Sequence, residues 1–184
     1  MIGHRLLGTT LLCLGKPAEG LKHLDKASAL YEPTEHRSLT THFGHDVGAA
    51  TLTLRSLALW LLGYPDTALA EINHAINAAR ETAHAPTVMF ALGMTSFTQI
   101  CCRNYGRAKG QIDECALLAN EKSAAFWKVL AMIHQGWVMA LSGNSAEAIR
   151  TIGAGITEYR LAGAKIWATA WLSDLALFHA RKIR

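Results

Sequence analysis

Small residues return along this chain in a fixed register. When LLCLGKPAEGL, LWLLGYPDTAL, ICCRNYGRAKGQI and MALSGNSAEAI are superposed, Gly20, Ala68, Ala108 and Ala148 become equivalent, at steps of 48, 40 and 40 residues. Four positions later stand Leu24, Ile72, Ile112 and Ile152, and three later again Ala27, Ala75, Cys115 and Gly155. Small, large and small at i, i+4 and i+7 occupy one face of a helix. The same steps relate Gly8, Ser56, Ser96 and Gly136 upstream, and one more step of 40 reaches Ala176. Periods of this length belong to stacked helical hairpins, an A helix followed by a B helix. Small residues let the two helices cross closely, and large neighbours fill the groove between them.

The rest of the chain agrees with helix throughout. Apolar residues recur at three- and four-residue spacing, with no sustained alternation of period two. Pro17, Pro33, Pro65 and Pro86 all fit helix starts or linkers. The pattern predicts helices over 2–14, 17–31, 46–62, 65–82, 87–103, 107–121, 123–141, 145–161 and 164–182. Gly15, Gly63 and Gly143 supply the left-handed residue that ends an A helix, and Arg103 departs from glycine at the third such turn. The expected fold is all-α, a right-handed superhelical solenoid of nine helices in about four and a half hairpins. It forms a single domain over 1–184, with repeats 1–32, 46–82, 87–121 and 123–162, a half repeat 164–184 and a loop 33–45. The chain stops where the fifth turn is due, which makes it read as a detached or truncated piece.

Composition narrows the class further. Hydrophobic residues make up 51% of 184 and charged residues 17%, enough apolar surface to fold and too little charge for a disordered chain. The net charge of +4 is dispersed. Its two short basic groups, Arg103/Arg107/Lys109 and Arg181/Lys182/Arg184, read as solvated helix ends, so no nucleic-acid partner is expected. The apolar run Leu57–Leu62 is far short of the roughly 20 residues that a membrane span needs, and no membrane association is expected. Thr9 and Thr10 interrupt the N-terminal apolar stretch and no A-x-A site follows, so it is not read as a secretory signal. Four cysteines without CxxC spacing suit reduced thiols in a cytoplasm.

Leu7, Gly8, Gly15, Gly20 and Ala27 in the first repeat resemble the tetratricopeptide repeat, with a period of 40 in place of the usual 34. HRLLGTTLLCLG, LYEPTEHRSLTTHFGHDVGAATLTLRSLALWLLGYPDTAL, FWKVLAMIHQGWVMALSGNSAEAI and YRLAGA resemble the C-terminal repeat region of bacterial predicted ATPases. Those proteins often carry an adenylate or guanylate cyclase domain at the N-terminus. The resemblance implies a regulatory or sensor segment, because the catalytic domains of the family are absent and no G-x-x-x-x-G-K-[ST] occurs. Where relatives have an uncharged aromatic-Gly-Gln-Asp-Pro run, this chain has Phe43-Gly44-His45-Asp46-Val47.

Five groups of residues are candidates for sites. His36, His42, His45 and Asp46 lie within one loop and could in principle converge on a metal, but loop packing across helix ends is the reading adopted, with no metal or cofactor. Cys101 and Cys102, with His134 one repeat on, are the only candidates for a nucleophile and base; thiols facing apolar neighbours are inert, so no enzyme is expected. Glu19–Lys22 and Asp25–Lys26 read as a solvated outer face of B helices. On the concave side, the positions one and four residues after each A-helix small residue are Thr9 and Leu12, Leu57 and Trp60, Phe97 and Ile100, Trp137 and Ala140. Core packing and binding explain this stripe equally well. If it binds, Leu57, Trp60, Phe97, Ile100 and Trp137 suit an apolar helix, a peptide face or an apolar small molecule, since only Arg5 brings charge there. Finally, Trp167, Trp171, Leu175 and Phe178 line the last helix as an expected self-association face for a homodimer. The resulting functional expectation is a non-catalytic scaffold for protein partners, with a small-molecule sensor as the alternative.

Overall fold

A computed structural model describes residues 1–164 and 167–182. Lys165 and Ile166 of the expected last helix, and the side chains of the basic group Arg181, Lys182 and Arg184, lie outside what is described. The described residues are all-helical, with no strand. In order they form α1 (Ile2–Cys13), α2 (Pro17–Ala29), α3 (Pro33–His36), a 3-10 turn (Arg37–Leu39), α4 (Thr40–Phe43) and α5 (Val47–Leu61). There follow α6 (Pro65–Glu81), α7 (Ala85–Cys101), α8 (Tyr105–Glu121), α9 (Ala125–Leu141), α10 (Ser145–Leu161) and α11 (Ala168–Lys182). None is long and apolar enough to cross a membrane.

The chain divides into two compact units, Met1–Arg103 and Asn104–Arg184. The division falls in the turn of the third expected hairpin, so α7 and α8 belong to different units. In the first unit, α1 packs on α2 and α5 on α6, while α2 packs on α5 and α7 lies against α5 and α6. In the second, α9 packs on both α8 and α10, and α11 on α10. Neighbouring helices therefore pair within each unit.

The small-residue register falls on enclosed positions within both units. Gly8, Ser56, Ser96 and Gly136 are buried, as are Gly20, Ala68, Ala108 and Ala148. Leu24, Ile72 and Ile152 are fully enclosed, and complete burial of such a side chain contributes about 1.5–3 kcal/mol. At Gly8 an added Cβ would stand 2.8 Å from Leu24 Cγ and 3.0 Å from the Gly20 carbonyl oxygen. Only hydrogen fits there. Ala176, the fifth member of the register, is exposed.

From α6 to α10 each helix has 17 residues, and their first residues are Pro65, Ala85, Tyr105, Ala125 and Ser145, a beat of 20. The expected starts at 87, 107 and 123 are each shifted by two residues. The turns keep the same beat: Gly63, Ala83, Arg103, Ser123, Gly143 and Gly163 all have positive φ. Arg103, at φ 59°, adopts the conformation that Gly63 adopts at 85°. The third turn departs in residue type only. After the left-handed residue, the next amide donates back across the helix end, as in Tyr64 N–H to Leu59 O at 3.0 Å and Asn144 N–H to Met139 O at 3.0 Å. These bonds satisfy carbonyls that a helix end would otherwise strand.

The expected loop 33–45 is corrected. It is built from α3, the 3-10 turn and α4, because Pro33 preorganises a first helical turn and Gly44, at φ 70°, ends the last one.

Candidate functional site

The residues grouped before α5 are held separately. Asp46, 2% exposed, caps α5 by accepting the Ala49 N–H at 2.8 Å. Its other oxygen accepts the Tyr31 hydroxyl at 2.6 Å, and its own N–H donates to Thr87 Oγ1 at 2.9 Å. Thr87 in turn bonds His84 Nδ1 at 2.9 Å. Burial first, and then the bond to Asp46, push the Tyr31 hydroxyl well above its ordinary range. Gly48 completes the fit, since a Cβ there would meet the Tyr31 ring at 2.5 Å.

The three loop imidazoles point to different tasks. His36 Nδ1 accepts the Glu32 N–H at 2.9 Å and its ring stacks on Tyr31. His42 is exposed beside the Thr41 hydroxyl. His45 stacks on Phe90 with ring centres 4.5 Å apart. Burial, and secondarily the Arg5 charge, lower its pKa to about 4. Among the described residues no group of three or more His, Cys, Asp or Glu side chains is placed to hold a metal ion.

Two polar arrangements carried no signal in the sequence. His4 and His23 bring their Nδ1 atoms within 2.8 Å across α1 and α2. Arg55 on α5 donates to Asp25 on α2 at 2.9 Å and also to Glu71 on α6. Asp25 is thus engaged with Arg55, and Glu19 with Lys16. Pairs on one helix could be guessed from spacing; two pairs that share Arg55 and join three helices could not.

Of the two readings of the inner stripe, burial favours packing. Leu57, Ile100 and Trp137 are buried, and Trp60 and Phe97 half-buried. Helix α5 packs against α1, α2, α6 and α7, so Leu57 is used as core. Trp137 lies on α9 beside the His134 ring, and α9 is flanked by α8 and α10. Cys101 and Cys102 are half-buried; burial, with a smaller contribution from Asp66, raises the Cys102 pKa.

The last helix is also corrected. Trp171 is 3% exposed, with its ring in edge-type contact with Tyr159 at 4.7 Å and with His134 at 6.4 Å between centres. Phe178 is buried, and Trp167 and Leu175 are half-buried. The face expected to be open is the one that α11 turns toward α10. Leu172 and Leu177 are exposed instead, with Leu161 at the end of α10 82% exposed. Between α10 and α11 lies a groove of about 590 Å³, lined by Gly153, Ile156, Thr157, Arg160, Leu161, Leu172 and Leu175.

No family model, curated protein or solved structure matches the chain.

Proposed function

We propose that this chain is a non-catalytic scaffold of tetratricopeptide-like hairpins, about four and a half repeats in a right-handed solenoid, acting in the cytoplasm as a regulatory or sensor segment. The likeness to the C-terminal repeats of bacterial predicted ATPases supports the regulatory part. Its partner is a protein or peptide with an apolar face, a second copy of the chain included. The observation that carries this reading is the groove between α10 and α11, where Leu161 and Leu172 stay exposed beside Leu175. Exposed apolar patches of this kind mark interfaces. Contact through Trp171 and Phe178 is set aside, because both are core.

A second reading, an apolar small molecule in the same groove, is favoured by its volume of about 590 Å³, within the range of ligand clefts. Native mass spectrometry of the purified chain separates a retained small molecule from a protein partner. For self-association, light scattering across a concentration series should show growth in mass, abolished by Leu161→Glu with Leu172→Glu. A parent that stays monomeric throughout contradicts self-association through this groove.

A further inference from the structure

We propose that Arg5 and His45 form the inner end of a binding site for a carboxylate. Arg5, on α1, is 7% exposed, and its Nε is enclosed without a hydrogen-bond partner. Among the described residues no ion pair includes it. Guanidinium does not shed its proton in the accessible pH range, and buried charges in proteins are paired or bound to a counter-ion. His45 Nε2 is likewise enclosed and unpartnered. The two residues share one neighbourhood: α1 packs on α5, and His45 stands just ahead of that helix, close enough to feel the Arg5 charge.

Packing does not demand this arginine. Its register equivalents are Thr53, Gly93 and Ile133, all buried and uncharged. A charge has been placed where the later repeats carry none.

The local charges select the ligand. His45 is neutral near pH 7, its pKa lowered by burial and by Arg5 and His84 against the opposing pull of Asp46. With a single cation, Arg5, and the Asp46 carboxylate close to His45, the neighbourhood suits a monoanion better than a phosphate dianion. A planar carboxylate also matches the guanidinium fork, and an Nε2–H on His45 can donate to it. This site is separate from the groove of the scaffold reading and does not depend on it.

The test is an NMR titration of the full chain, following the Arg5 Nε–H and His45 ring signals as sodium acetate replaces sodium chloride at constant ionic strength. Both signals should shift saturably, with inorganic phosphate weaker. Arg5→Lys should weaken acetate binding about tenfold through loss of the bidentate fork. His45→Phe, which keeps a ring against Phe90, should weaken it several-fold. Competition by N-acetylglycine against succinate distinguishes a peptide C-terminus from a small diacid as the tighter source. Absence of saturation by acetate in the parent overturns the proposal even if a variant fails to fold. So does phosphate binding as tightly as acetate, or an unchanged response in Arg5→Lys.

Discussion

Gly136 and Ile152 touch so closely that a Cβ on the glycine would lie 2.6 Å from Ile152 Cγ1. The same relationship joins Gly8 to Leu24 in the first hairpin, at 2.8 Å. Each pair is separated by 16 residues. Two hairpins far apart in the chain thus use one device, an A-helix glycine seated on the large residue of its B helix. The close approach lets both backbones come together and leaves no void, which is how dense packing is reached without strain.

Arg103→Gly should stabilise the chain. A non-glycine residue in the left-handed region costs about 1–2 kcal/mol, part of which glycine returns through its greater freedom when unfolded. A net gain of about 0.5–1 kcal/mol is expected in urea denaturation, because Arg103 is exposed with φ 59°. A lower midpoint would show that its side chain matters more than its backbone.

Asp46→Ala should cost about 2 kcal/mol or more, since it removes the α5 cap and leaves the Tyr31 hydroxyl without its acceptor. Tyr31→Phe should cost about 1 kcal/mol. Equal costs for the two variants would contradict the capping role.

Stability should fall as the solution is acidified from about pH 6.5 to 4. Folded His45 takes up its proton near pH 4 and the unfolded residue near 6.5, so the unfolded state binds more protons in that window. The groups facing it are Arg5, Asp46 and His84. After solvent screening the loss should be about 1–2 kcal/mol. His45→Phe should flatten that part of the profile; an identical slope would assign it to other groups.

The thiols should react at very different rates. Cys13 is exposed, whereas Cys115 is buried and its pKa is pushed up to about 12, first by burial and then by Glu114. Aromatic disulfide reagents should modify Cys13 rapidly and Cys115 only on unfolding. Loss of the fast phase in Cys13→Ser checks the assignment.

Much of this architecture was legible because spacing reports which residues share a helix face. Ser56, Ala68, Ile72 and Ala75 were identified by register alone, and all four are buried. Register does not report how many neighbours a helix has. For that reason spacing left Leu57, Ile100 and Trp137 open between core and lining, and all three are buried. Trp171 looked open for the same reason, although Tyr159 and His134 meet it. The bonds of Asp46 to Tyr31 and Thr87 span 15 and 41 residues; no local pattern announces such partners. The Asp46 cap before an apolar run was readable in principle.

The central claim is that the repeated small positions are the hairpin crossings, and two glycines in neighbouring helices test it most directly. Gly136 on α9 is closed in by Ile152 and Ala148, whereas Gly153 on α10 has nothing within 4 Å of an added Cβ. Urea denaturation of Gly136→Ala should reveal a loss of about 1–3 kcal/mol from overpacking. Gly153→Ala should instead gain about 0.5–1 kcal/mol, the ordinary benefit of alanine inside a helix. Opposite signs at the two positions are the predicted result. A gain at both, or an unchanged midpoint for Gly136→Ala, would contradict the crossing.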